Sequence, residues 1–235
     1  EIARRPNHKS FPAGGYASGE VEPLNISIKL TQCGLDQGEQ FAEENFREVL
    51  AKAKEQGNFV RVDMEGSPYT ERTILMIEKV HGEFPNTGTV VQSYLYRTND
   101  DVGWAILNKV RLRLVKGAYW DAETTEAIAH DHLPPQFLNK PETDAMFQML
   151  VLRVLAAPCA QLCVASHNLR DHAFAHAARQ RLQPTAPTIE HQCLHMTYEA
   201  LSTALARQGW AVRNYVPVGS LLVGMAYLVD RKSVV

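Results

Sequence analysis

The sequence predicts an α/β fold of the TIM-like (βα)8 barrel type, on three observations. Apolar runs typical of β-strands alternate in strict order with segments of helical periodicity, which indicates parallel strands covered by helices. Successive strands carry polar residues on one face, whereas a central strand of an open, doubly wound sheet is apolar on both faces. No strand is followed by a GxGxxG or GxxxxGK[ST] phosphate loop, which disfavours a dinucleotide-binding open sheet.

Seven strand–helix units are predicted along the 235 residues, a length that suits one barrel of about 200–250 residues. We expect strands over 25–31, 59–65, 89–96, 110–118, 162–167, 188–194 and 212–216. We expect helices over 40–56, 70–81, 142–157, 170–182 and 198–208, a short helix from about residue 99 and a last one from about residue 221. Gly57 suits the left-handed position that ends the first helix. Residues 1–24 are polar and rich in glycine and proline, which predicts a loose segment before one barrel domain over 25–235.

Polar side chains accumulate where these strands end. In the second strand Arg61, Asp63 and Glu65 share one face, as expected for a barrel interior that opens on a ligand. The strand ends also offer Lys29, Gln92, Tyr94, Tyr96, Arg113, Lys116, His167, Asn168, Gln192 and Tyr215. Because a parallel barrel carries its site at the carboxyl ends of the strands, we expect these side chains to surround one site.

Composition excludes several function classes. The net charge of −2 means that bulk electrostatics do not suggest nucleic-acid binding. The four cysteines form no CxxC pair and no disulfide framework, so a reduced, intracellular setting is expected. The most apolar stretch, 149–165, is broken by Arg153, Pro158 and Gln161, so it falls short of a membrane span.

Seven segments together resemble the proline dehydrogenase family, whose members oxidise proline with FAD and also occur fused to an aldehyde dehydrogenase. They follow the family's order and span nearly all of residues 25–231. RLVKGAYW and the pair YVPVG and AYLV are the most specific. The segments are NISIKLTQCGL (25–35), FVRVDMEGSPYT (59–70), VVQSYLYRT (90–98), RLVKGAYWD (113–121), VASHN (164–168), IEHQCLHM (189–196) and VRNYVPVGSLLVGMAYLV (212–229).

The resemblance implies a noncovalent FAD site at the strand ends. Arg113 matches an arginine beside the flavin N5, where a cation stabilises the charge that develops on reduction. Gly117 would let the backbone approach the cofactor closely, Trp120 would offer a flat face to its ring system, and Ser166 would contribute a hydroxyl near the FAD tail. The implied cofactor-binding residues are Asp63, Met64, Gln92, Arg113, Val115, Gly117, Ala118, Tyr119, Trp120, Ser166, His167 and Asn168.

The resemblance also implies the reaction and its partners. A hydride would pass from L-proline to flavin N5, giving 1-pyrroline-5-carboxylate, and the electrons would pass on to a quinone. That acceptor implies a cytoplasmic protein in peripheral contact with the inner face of a membrane. The implied catalytic residues are Arg113, Lys29, Asp63 and Tyr215. The implied substrate-binding residues are Lys29, Leu194, Tyr215, Tyr227 and Arg231.

The chain departs from the family's pattern in three places. The family reads YLVRR where this chain has Asp230 before Arg231, and a carboxylate there repels the substrate carboxylate. The family's final helix continues where this chain has 232–235. An earlier strand and a helical arm of the family find no match in residues 1–24. The fold expected is therefore a barrel that lacks the family's first strand.

Three alternatives remain at this point. Asp230 and the missing first strand motivate a truncated, non-catalytic barrel that binds flavin without turnover. Lys29 or Lys116 could form a Schiff base as in aldolases, although strand alternation places Lys116 on the face opposite Arg113. His172 and His176 have a workable metal-ligand spacing, but their charged neighbours indicate a solvated helix face. We therefore expect no metal site.

Overall fold

The computed structural model describes residues 24–157, 161–182 and 189–218. Within them, seven parallel strands stand in one sheet in the order in which they follow along the chain. This is the order of a βα barrel, whereas a doubly wound sheet reverses direction part-way. The strands are β1 (Asn25–Ile28), β2 (Phe59–Val62), β3 (Thr87–Gln92), β4 (Arg111–Val115), β5 (Leu162–Ala165), β6 (Glu190–Leu194) and β7 (Ala211–Tyr215).

Helices connect the strands, as a parallel sheet requires. They are α1 (Glu39–Glu55), α2 (Ser67–His81), α3 (Thr98–Leu107), α4 (Trp120–Ala129), α5 (Lys140–Ala156), α6 (Leu169–Leu182) and α7 (Glu199–Arg207). Gly57 follows α1 with a φ of 67°, which confirms its predicted place beyond the helix end. Helix α4 is not among the predicted helices, because its buried residues are only Glu123 and Ala127 and no apolar stripe marks it.

The sheet curls, and side chains from distant strands meet inside it. Arg113 of β4 donates through Nη2 to Ser27 Oγ of β1 at 3.0 Å. The Tyr215 hydroxyl of β7 donates to Asp63 Oδ2, one residue beyond β2, at 2.9 Å. These contacts confirm the predicted TIM-like barrel architecture.

Strand alternation separates two layers. Val60 and Val62 of β2 and Leu112 and Leu114 of β4 are at most 1% exposed and belong to the apolar core that also contains helix side chains. Each such burial contributes about 1.5–3 kcal/mol. The residues between them, Arg61 among them, face the barrel interior instead.

Several strands are shorter than predicted, and the difference locates the site. β2 ends at Val62 and β4 at Val115, whereas alternation alone extended them to 65 and 118. Alternation continues past the last paired residue, so it does not mark where the ladder stops. Residues just beyond the ladder, such as Asp63 and Gly117, are among those that surround the cavity described below. The predicted missing first strand and the predicted last helix lie outside the described residues, and the domain boundary at residue 24 stays a prediction.

Candidate active site

A cavity of about 450 Å³ lies at the carboxyl ends of the strands. All seven strands contribute to its lining, either directly or through the residues that follow them. Its volume falls within the range of small-molecule and cofactor sites. The position is the one where parallel barrels carry their function.

Arg113 is the central cation of this cavity, and its side chain is 7% exposed. Its Nη1 lies 2.5 Å from Asp63 Oδ1, and its Nε donates to Gln192 Oε1 at 2.6 Å. The bond to Ser27 engages its third nitrogen. Three strands and the segment after β2 therefore fix the plane of one guanidinium, and a charge held in this way needs no rearrangement during a reaction.

Asp63 joins Arg113 to Tyr215. One carboxylate oxygen accepts from the guanidinium and the other accepts from the tyrosine hydroxyl. The guanidinium carbon also lies 5.3 Å from the centre of the Tyr215 ring. The cation, the carboxylate and the phenol thus form one connected unit, to which β4, β7 and the segment after β2 contribute.

A second buried arginine lies deeper in the barrel. Arg61 is 1% exposed, and its Nη1 donates to the carbonyls of Thr89 at 3.1 Å and Arg111 at 2.8 Å. Burial lowers the pKa of Arg61. A Cβ added at Gly88 would lie 2.6 Å from the Arg111 carbonyl oxygen and 3.1 Å from Arg61 Nη1, so the glycine leaves room for both groups. Arg61 supports the interior and does not line the cavity.

Gly117, directly after β4, makes room for a tyrosine. Its φ is +143°, and a Cβ there would lie 2.2 Å from Cδ1 of Tyr94. The Tyr94 hydroxyl donates to Glu123 Oε2, and the other oxygen of Glu123 accepts from the Ser67 amide at 2.6 Å. Burial and the hydrogen bond to Glu123 raise the pKa of Tyr94. The absence of a side chain at Gly117 is therefore required within the protein itself, apart from any ligand.

The turn after β5 forms another part of the wall. Ser166 Oγ donates to Asp171 Oδ2 at 2.6 Å and accepts from the Asn168 amide at 3.0 Å. His167 Nε2 accepts from the Leu194 amide at 3.1 Å, and its ring stacks on Tyr198 with the ring centres 4.9 Å apart. The imidazole is thereby held between β6 and the start of α7.

Comparisons with known proteins agree with this geometry. The model of the family described as proline dehydrogenase matches residues 2–232. The chain belongs to the proline dehydrogenase family. Proline dehydrogenase 1 of Bacillus subtilis is 35% identical over 83% of the chain, and the proline dehydrogenase of Deinococcus radiodurans is 32% identical over 87%. The chain spans 61% and 63% of the length of these two relatives.

Solved structures give the same fold. The proline utilization A protein of Bdellovibrio bacteriovorus, inactivated by N-propargylglycine, has a TM-score of 0.81 at 30% identity, over 88% of this chain and 24% of that one. The protein of this name from Bradyrhizobium japonicum, as its D779W mutant, has a TM-score of 0.79 at 26% identity, over 93% of this chain and 24% of that one. Both support the barrel assigned to this member of the proline dehydrogenase family.

Most site residues expected from the family resemblance meet in the one cavity. Tyr227 and Arg231 lie outside the described residues. Trp120 is absent from the lining, because its indole nitrogen is turned to the Phe137 carbonyl, to which it donates at 3.0 Å. It does not offer its face to the cavity as expected. Those that line it are Lys29, Asp63, Met64, Gln92, Arg113, Val115, Gly117, Ala118, Tyr119, Ser166, His167, Asn168, Leu194 and Tyr215.

The structure argues against a Schiff-base role for Lys116. Its Nζ lies 2.7 Å from Asp144 Oδ1 and 2.9 Å from Asp171 Oδ2, on the helix side of β4. Burial by itself would lower the pKa of Lys116, but the hydrogen bonds to both aspartates outweigh it and raise the pKa. A nucleophilic lysine needs the opposite shift.

The expected solvated face around His172 is wrong. His172 and the neighbouring Asp171 are at most 2% exposed, and His172 Nδ1 lies 3.0 Å from Nδ1 of buried His191. Burial lowers the pKa of both rings, to about 3 for His191. Among residues 24–157, 161–182 and 189–218, no group of three or more histidine, cysteine or acidic residues is arranged to hold a metal ion.

Sequence reasoning missed Ser27 and Lys140 as parts of the site. Ser27 lies on the polar face of β1 and was detectable by alternation, since it shares that face with Asn25 and Lys29. Lys140 lines the cavity from the first turn of α5, and its Nζ pairs with Asp144 at 2.9 Å. No local pattern marks Lys140, because the preceding stretch shows no periodicity.

Proposed function

We propose that this chain binds FAD noncovalently in the cavity and oxidises L-proline to 1-pyrroline-5-carboxylate, with the electrons passed on to a quinone. The observation that carries the proposal is the Arg113 guanidinium, fixed by Asp63, Gln192 and Ser27 inside the cavity of a proline dehydrogenase family member. Each partner comes from a different segment of the barrel, so the arrangement depends on the fold.

The chemistry of the lining fits a flavin. Val90, Val115 and Leu194 provide apolar walls for a planar ring system, and the amide of Gln92 lies among them. Lys29 and Arg113 provide positive charge for anionic groups. When bound, the flavin supplies the oxidising power by accepting the hydride that proline loses from the ring carbon next to nitrogen.

This chain's residues hold the reactants. Lys29 offers an ammonium to the proline carboxylate, and we assign Arg231 and Tyr227 to the same end of the substrate on the strength of the resemblance. Leu194 and Tyr215 offer apolar surface to the pyrrolidine ring. Arg113 stabilises the negative charge that develops as the hydride is transferred, and Asp63 keeps its guanidinium in plane.

The test is an absorption spectrum under anaerobic conditions. The purified chain is loaded with FAD, freed of excess cofactor and mixed with L-proline, with D-proline as the control. We expect the visible flavin band to bleach with L-proline only. A retained flavin that L-proline leaves unchanged would favour a binding-only barrel, the alternative motivated by Asp230. A chain that retains no flavin would contradict the proposal.

We propose further that the protein works in the cytoplasm, in peripheral contact with the inner face of a membrane that holds the quinone, and without nucleic acid. Cys33, Cys163 and Cys193 are free thiols in the structure, in keeping with a reducing compartment. No helix among the described residues is long and apolar enough to cross a membrane. Co-sedimentation with quinone-containing vesicles tests the contact, and a chain that stays in the supernatant contradicts it.

A further inference from the structure

Behind the cavity wall lies a buried carboxylate that does not line the cavity. Asp171, in the first turn of α6, is 2% exposed. Its Oδ2 atom accepts from Ser166 Oγ at 2.6 Å and lies 2.9 Å from Lys116 Nζ. One oxygen therefore connects the end of β4 to the turn after β5.

The single hydrogen of the serine hydroxyl is committed by these contacts. A hydroxyl has one hydrogen, and a carboxylate can only accept, so Ser166 donates to Asp171. Its oxygen in turn accepts from the Asn168 amide. His172 Nε2, whose partner is a carbonyl, donates to the backbone oxygen of Ser166 at 2.7 Å. Helix α6 thus holds Ser166 by its side chain and by its backbone.

Lys116 completes the connection from the other side. It lies between Val115 and Gly117, both of which line the cavity, while its own side chain enters the helix layer. Its pairs with Asp144 and Asp171 join the end of β4 to α5 and α6. A displacement of Asp171 would therefore change the turn after β5 and the end of β4 together.

We propose that Asp171, held by Lys116, is a positioning residue that sets the cavity turn 166–168 through the Ser166 hydroxyl. The hydroxyl donates its hydrogen to the scaffold and not to the cofactor, in contrast to the direct role expected from the sequence. This inference rests on the proposed flavin site for its consequence, a weaker FAD complex when the turn is released.

The experiment measures FAD affinity and turn mobility in four variants. Asp171→Asn weakens the hold on the turn by removing the charge, Ser166→Ala removes the hydroxyl, and Ser166→Thr keeps it. Asp101→Asn is the matched control, because Asp101 is also buried in the first turn of a helix and paired with a cation, but its hydrogen bonds go to Arg97 and not to the turn 166–168. We would titrate each variant with FAD and record the visible circular dichroism of the bound flavin. We would also measure amide hydrogen exchange at residues 166–168 in the whole chain without cofactor.

We expect Asp171→Asn and Ser166→Ala to raise the Kd for FAD about tenfold, the effect of about one lost hydrogen bond. They should also alter the visible dichroism and speed exchange at 166–168. Ser166→Thr should retain wild-type values, and Asp101→Asn should lower Tm without changing Kd.

Wild-type Kd, dichroism and exchange in Ser166→Ala would overturn the inference, and this variant also keeps the test valid should Asp171→Asn fail to fold. If the wild-type chain binds no FAD, the proposed function fails, and exchange at 166–168 still decides whether Asp171 sets the turn.

Discussion

The two faces of β4 carry buried ion pairs of similar composition and different surroundings. On the inner face, Arg113 meets Asp63 beside an open cavity. On the outer face, Lys116 meets Asp144 and Asp171 between helices. The inner cation, 7% exposed, is fixed among strand ends inside the barrel, whereas the outer cation, 18% exposed, also borders the cavity but is held by carboxylates of two helices. Alternation along one strand thus places one ion pair inside the barrel, next to the cavity, and the other between the helices of the scaffold.

The largest effect on stability is expected from the outer face. Lys116→Met leaves Asp171 as a buried carboxylate without its cation, and breaking a buried pair costs about 3–5 kcal/mol. We expect a loss near the lower end of that range, because Asp144 is 32% exposed and water can solvate it. Urea unfolding measures this loss. Lys140→Met, which removes a more exposed partner of Asp144, is the control and should cost less than about 1 kcal/mol.

If Lys116→Met unfolds at the same urea concentration as the wild-type chain, the outer network is not structural and the contrast between the two faces fails.

A substitution on the inner face should mainly change the rate of flavin reduction by proline. Arg113→Met removes the fixed cation, and loss of one group that stabilises developing charge slows catalysis about 10²–10³-fold. Its stability should fall less than that of Lys116→Met, because Asp63 keeps Tyr215 as a partner and borders the open cavity. Rapid-mixing measurement of flavin bleaching gives the rate, and FAD titration shows whether the cofactor still binds.

Arg213→Met is the matched control, since Arg213 pairs with Glu190 but does not line the cavity. Equal losses of rate in both variants would show that the loss does not depend on a cation inside the cavity, against the role given to Arg113.

The strand order and the inward polar face were predictable because both follow from periodicity. Arg61 and Asp63 alternate with apolar residues, and a period of two is a local property of the chain. Helix α4 was not predictable in this way, because Glu123 is buried by its partners Tyr94 and Ser67, which are distant in sequence.

The difference between local patterns and long-range contacts also explains which site residues could be predicted. Motif matches placed Arg113, Asp63 and Tyr215 near one another, since each carries a local signature within the family resemblance. The partner of Ser166 was hidden, because Asp171 in a charged helix sequence is typical of a solvated face. Only packing shows that Asp171 and His172 lie against β5 and β6, where they bind buried polar groups.

A smaller effect should appear in the pH dependence of stability. Burial, followed by repulsion from His172 and His176, lowers the pKa of His191 to about 3, against about 6.5 in an unfolded chain. As pH falls through this window, the unfolded chain binds a proton that the folded chain excludes, so stability is lost; above pH 6.5 the contribution is constant. His191→Gln should therefore shrink the stability difference between pH 7 and pH 5 by about 2 kcal/mol.

Denaturant titrations at the two pH values measure it, with the exposed His130→Gln as control. If His191→Gln leaves the stability difference between pH 7 and pH 5 unchanged, the His191 ring is already protonated at pH 5 in the folded state. Water would then have access to this layer of side chains.

The smallest effect concerns the charge of Asp230, which lies outside the described residues. Asp230 stands where the family has the first arginine of YLVRR, so Asp230→Arg replaces a repulsive charge with an attractive one toward the proline carboxylate. We expect the KM for L-proline to fall about twofold to fivefold, the contribution of one solvent-screened charge pair, with kcat unchanged. Steady-state assays at low and high salt test this, and the gain should shrink at high salt because screening weakens it.

Asp230→Asn separates the two contributions, since it removes the repulsion alone and should give part of the gain. A KM that neither variant changes would mean that residue 230 does not act on the substrate, and that the cations already identified in the cavity, Lys29 and Arg113, determine carboxylate binding.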